Sequence, residues 1–173
     1  FSSHLPDRSD YETLGEQQIY NNIDVVLGGW YKYLTKENRK DKEDMISELK
    51  SSGYDIATTK EQMNSSTSSK IWGLFAQDAM SYELDREKLT PTEPSLKEMT
   101  DKALSILSKD KDGFFLMVEG SKIDWASHAN DPVGVATDVL AFDNAVKSAL
   151  DFAKKDGNTV VIVASDHGNG GLT

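Results

Sequence analysis

Phe114-Phe115-Leu116-Met117-Val118-Glu119-Gly120 joins five consecutive apolar residues to an acid and a glycine. Further along, Thr159-Val160-Val161-Ile162-Val163-Ala164-Ser165-Asp166-His167 repeats that design. An unbroken apolar run has no polar face, so each reads as a strand buried on both sides, the kind that parallel sheets use. Between them, residues 132–153 place Val135, Val139, Phe142, Val146 and Leu150 at helical spacing, closed by Lys154, Lys155 and Gly157. Before them, Ser95 with Glu98 forms a capping pair, and Leu96, Met99, Ala103, Leu104 and Leu107 form one helical face. Helix, strand, helix, strand predicts an α/β fold: a central, mostly parallel sheet with helices on both faces.

The N-terminal half supports the same class. Residues 11–22 and 44–51 read as helices, the second stopped at Gly53, and 59–64 as a helix start. Residues 24–29, 54–57 and 70–75 read as strands. The charged stretch 35–44 reads as solvated, the Ser/Thr tract 64–69 as a loop, and 81–94 as a polar excursion of no derivable shape. At 173 residues, 1–173 is expected to form a single domain.

Composition excludes several functions. With 19 basic against 29 acidic residues, the net charge of −10 opposes nucleic-acid and anionic-membrane binding. No stretch approaches the roughly 18 apolar residues of a membrane span. The chain has no cysteine, so disulfides, thiolate metal ligands and a cysteine nucleophile are excluded. Any metal site is left to His, Asp and Glu. Phe1-Ser2-Ser3-His4 is neither a signal peptide nor an initiator start, and the chain stops in a glycine-rich loop. It is therefore expected to be a piece of a longer protein.

Ligands of parallel α/β sheets bind beyond the carboxyl ends of the strands. Glu119 directly follows one apolar run, and Asp166 lies two residues past Ala164. The pattern brings Glu119, Asp124, His128, Asp166 and His167 to one edge, and a helical turn would set Asp124 and His128 on one face. Carboxylates with imidazoles suit zinc, and Glu119 suits magnesium. Each signal has a bland alternative: Asp-x-x-x-His is common, Asp-His serves as a cap beside a surface histidine, and Glu119 as an ion-paired carboxylate. Their coincidence on one edge favours the metal reading. Near the start, Arg8 offers a bidentate clamp for phosphate or sulfate, or a surface ion pair with Asp7 or Asp10. Trp125 reads as packing beside whatever Asp124 binds.

The stretch from Phe114 through Glu119-Gly120-Ser121-Lys122-Ile123-Asp124-Trp125-Ala126-Ser127-His128 resembles the metal motif of bacterial alkaline phosphatases. Leu150 to His167 is similar to that family's next strand, and Ser3-His4-Leu5-Pro6-Asp7-Arg8 resembles the segment holding its phosphate-binding arginine. The resemblance implies two zinc sites and one magnesium site: Asp124 and His128 on one zinc, Asp166 and His167 on the other, Glu119 on magnesium. It implies that Arg8 clamps the phosphate and Trp125 tunes its affinity, with no role assigned to His4. It also implies small phosphomonoester substrates, a phosphoseryl intermediate, export to the periplasm or outside, and a homodimer. The family's Asp-Ser-Ala nucleophile motif is absent from this chain. The chain is thus expected to carry part of a phosphatase site and to be inactive when isolated. A related metal-dependent phosphomutase or sulfatase, or an inactive structural fragment, are the alternatives.

Overall fold

A computed structural model describes residues 2–171, which group into two compact units, one ending at Met80 and one beginning at Ser81. The first unit holds α1 (Tyr11–Tyr20), β1 (Val25–Gly28), a 3-10 turn (Tyr31–Leu34), α2 (Met45–Ser51), β2 (Asp55–Ala57), α3 (Lys60–Ser65) and β3 (Ile71–Leu74). Its three strands form a parallel sheet in the order β1-β3-β2, with Val26 and Ile56 both in register with Trp72. β3 is central and buried at all four positions, which is why its sequence shows no polar alternation. The α/β class holds.

Each helix of this unit begins where a short polar side chain satisfies an otherwise orphaned amide. Asp10 accepts from the Thr13 amide, Asp44 from Ser47 and Thr59 from Gln62. Ile19, Leu34, Met45, Leu49, Tyr54, Trp72 and Leu74 form the core. The stretch 35–44 departs from its solvated reading at Arg39, which is 1% exposed. Its guanidinium donates to Asp41 Oδ1 at 2.9 Å and to the carbonyls of Glu12 and Tyr33 at 3.1 and 3.2 Å. A charge is tolerated in the interior because its donors meet oxygens, a condition that composition alone does not reveal.

The second unit contains α4 (Glu83–Leu89), α5 (Leu96–Leu107), α6 (Ser121–His128) and α7 (Pro132–Asp156), with α7 packed against the other three. The capping box at α5 is formed, Ser95 and Glu98 each serving the other's backbone amide. α4 lies inside the excursion that had no reading. It is fixed by Arg86, whose guanidinium forks onto Glu83 at 2.8 and 2.7 Å and reaches the Glu93 carbonyl at 3.3 Å.

The two apolar runs 114–118 and 159–164 depart from expectation. Neither 114–118 nor 159–164 is a β-strand among the described residues, and Val160 and Ile162 are 82% and 84% exposed. A strand exists only where a neighbouring backbone completes its hydrogen-bond ladder. An apolar run specifies burial but does not supply that neighbour.

Candidate functional site

α6 begins at Ser121, with Gly120 as its N-cap and Glu119 between that glycine and the first apolar run, and carries Asp124 and His128 one turn apart. His128 Nε2 stands 3.7 Å from Asp124 Oδ2. The other carboxylate oxygen accepts a 2.8 Å hydrogen bond from the Asn169 side-chain amide and lies 3.9 Å from His167 Nε2. Asp166 Oδ2 is 3.4 Å from the same imidazole nitrogen. One carboxylate thus sits between two imidazoles drawn from chain segments far apart in sequence.

The loop after His167 reaches α6 because of Gly170. Its φ is +66°, and a Cβ there would stand 2.5 Å from the Ser127 carbonyl oxygen. Only glycine combines that backbone conformation with so close an approach. Asn169 then fastens the loop to Asp124. The sequence shows this stretch only as a glycine-rich loop and gives Asn169 no part.

The tautomer of His167 follows from its neighbour. Nδ1 lies 3.2 Å from the Gly168 carbonyl, which can only accept. With its proton on Nδ1, the ring turns the lone pair of Nε2 toward the carboxylates of Asp124 and Asp166. The imidazole nitrogen and the two carboxylates are electron-pair donors of the kind a divalent cation takes. The donor chemistry, imidazole plus carboxylate, fits zinc. The geometry provides these donors in pairs, since among the described residues no group of three His, Asp or Glu side chains is disposed to hold a metal ion. Glu119 is exposed and has neither hydrogen bond nor ion pair among the described residues.

A cavity of about 490 Å³ adjoins the cluster, lined by Tyr82, Asp124, Trp125, His128 and Ala129. Beside it, the Lys122 ammonium lies over two rings, 4.0 Å from the Trp125 centroid and 4.6 Å from that of Tyr82. Burial pushes this ammonium below the ordinary lysine range, against the pull of Asp138 and Glu93. Asp138 is itself buried, with Oδ2 unpartnered, and burial pushes its carboxyl above the usual range. Lys122, Tyr82 and Asp138 were not singled out by the sequence. A lysine in the first turn of a helix, against the macrodipole, is the signal that could have found the first of them.

Arg8 belongs to the first unit. There it lines an open cavity of about 440 Å³ with Ser3, His4, Leu5, Pro6 and Leu14. The ion pair with Asp7 or Asp10 does not form: Asp7 accepts from Ser9 and Asp10 from Thr13, and Arg8 is exposed. His4 is tied through its backbone to the Gln17 amide, at 2.8 and 3.3 Å.

The family model for alkaline phosphatase matches residues 5–173. Alkaline phosphatase 4 of Bacillus subtilis is 46% identical over 153 residues, covering 88% of this chain and 32% of that protein. The crystal structure of Thermus thermophilus alkaline phosphatase superposes with a TM-score of 0.85 at 34% identity, over 88% of this chain and 32% of that one. A histidine-to-glutamate mutant of the TAB5 alkaline phosphatase, described with magnesium bound in its M3 site, superposes with a TM-score of 0.77 at 36% identity. That match covers 91% of this chain and 44% of the other. The chain spans about a third of the length of the curated relatives it matches. With a family match over nearly its whole length, the chain belongs to the alkaline phosphatase family.

Proposed function

We propose that this chain, a single incomplete α/β domain over 1–173, carries part of the active site of a metal-dependent phosphomonoesterase acting on small phosphate esters. The observation that carries the reading is the Asp124 carboxylate held between His128 and His167. Asp124 and His128 would hold one zinc, Asp166 and His167 a second, and Glu119 the magnesium. When bound, such ions stabilise charge on the attacking and leaving oxygens of an in-line displacement.

The chain's own residues prepare that site. Asn169 fixes the Asp124 carboxylate, so its second oxygen stays turned toward His128. The Gly168 carbonyl keeps the His167 proton on Nδ1, leaving Nε2 as a ligand. Arg8, without an acidic partner among the described residues, can take two phosphate oxygens through its fork, and Trp125 adjusts how tightly the phosphate is held. The phosphoseryl intermediate, export and a homodimer belong to the same proposal on family membership alone.

The test is hydrolysis of 4-nitrophenyl phosphate by the full-length protein. Chelation should abolish turnover, and zinc with magnesium should restore it. Asp124→Asn should lower turnover by about 100-fold or more. Turnover that survives both chelation and Asp124→Asn would end the proposal. The 173-residue chain alone should turn over nothing.

A further inference from the structure

Lys122 occupies an unfavourable position for its charge. It lies in the first turn of α6, where the helix dipole repels a cation, and it is half-buried. Among the described residues its ammonium makes no hydrogen bond and no ion pair. Its contacts are the faces of Tyr82 and Trp125, at 4.6 and 4.0 Å, and both rings line the cavity beside Asp124 and His128. Asp138 and Glu93 supply the negative field behind it without reaching ion-pair distance. The groups the ammonium meets directly are the two π-faces, an attraction that strengthens as water is excluded. The indole is 44% exposed and one helical turn from Lys122, so without this clamp it has solvent to turn into.

We propose that Lys122 is a positioning residue that pins the Trp125 indole as a fixed wall of the cavity that Tyr82, Asp124 and His128 also line. Lys122 does not itself touch the substrate. It acts on phosphate-ester binding through the ring it holds. This rests on the phosphatase reading for its consequence in binding, and on geometry alone for its consequence in indole order.

Two readouts on the full-length protein separate these. The first is Trp125 fluorescence, taken as the difference between the parent protein and Trp125→Phe. Lys122→Met should shift that difference emission to the red and raise its quenching by acrylamide, and Lys122→Arg should restore both. The second is kinetics with 4-nitrophenyl phosphate. Lys122→Met should raise KM by about three- to tenfold, more than it changes kcat. In a Trp125→Phe background the same substitution should add little, because residues acting through one contact are not additive. An unmoved Trp125 emission overturns the clamp, whatever the kinetics. A full additional KM increase in the Trp125→Phe background overturns action through the indole. If the parent protein hydrolyses no phosphate ester, the phosphatase reading fails while the fluorescence still decides the clamp. If Lys122→Met does not fold, Lys122→Gln supplies the same comparison.

Discussion

The side-chain amide of Asn169 donates to Asp124 Oδ1 at 2.8 Å, joining two segments 45 residues apart. Together with the close approach of Gly170 to Ser127, this bond fastens the loop that carries His167 to α6. Asn169→Ala should leave α6 intact yet release the Asp166-His167 loop. In the full-length protein, zinc affinity measured by competition with a chromophoric chelator should fall by about 10- to 100-fold.

Gly170→Ala tests the same docking from the backbone side. A methyl group at φ +66° facing the Ser127 carbonyl cannot be housed without moving the loop. The expected cost is about 1 kcal/mol or more in denaturant unfolding, with loss of zinc affinity comparable to that of Asn169→Ala. Unchanged values in both measurements would show that the loop docks elsewhere.

Arg39 is the buried charge of the first unit, and Arg39→Leu should cost about 2–4 kcal/mol by chemical denaturation, since carbonyls of Glu12 and Tyr33 lose their donor. The partner acid sets the pH dependence. The Arg39 guanidinium holds the Asp41 carboxyl below the usual range. A depressed folded-state pKa contributes stability that is present above the unfolded carboxylate value. That contribution fades as pH falls through the folded one. Arg39→Leu should reduce this acid-side slope, the Glu43 amide on Asp41 keeping the remainder.

Asp138 gives the opposite sign. Burial raises its carboxyl above the unfolded value. The protonated form is favoured in the folded state, so the relative stability is full below the unfolded pKa and is lost as pH rises through the folded one. Asp138→Asn should therefore be stabilising, by about 1 kcal/mol, at neutral pH and nearly neutral under acid conditions. Thermal melts at two pH values read the difference.

Arg8→Ala should weaken binding of phosphate esters more than it slows turnover, because a guanidinium without an acidic partner among the described residues is available to the substrate. An unchanged inhibition constant for inorganic phosphate would remove Arg8 from the site.

Local chemistry was legible where a polar cap or an apolar face marks a helix, which α4, without a side-chain cap, does not offer. Ser95 with Glu98, Asp44 before Met45 and the i,i+4 spacing of Asp124 and His128 all act within one or two turns of chain. The short strands around Val26, Ile56 and Trp72 were readable for a related reason. Their apolar runs lie within a stretch that supplies its own ladder partners. The runs at 114–118 and 159–164 are equally apolar but form no ladder among the described residues, and no local pattern encodes a missing neighbour.

By itself the sequence determined the α/β class and the helices α1, α2, α5 and α7, and it offers Glu119, Asp124, His128, Asp166 and His167 as candidate ligands. Tertiary structure alone decided that Asn169 and Gly170 fasten the histidine loop to α6, that Arg39 lies inside, and that Lys122 rests on Tyr82 and Trp125. The reason is physical: capping and helical periodicity are settled by neighbours along the chain. Hydrogen bonds and ring contacts between distant segments depend on where folding brings those segments, and their residue types carry no mark of it.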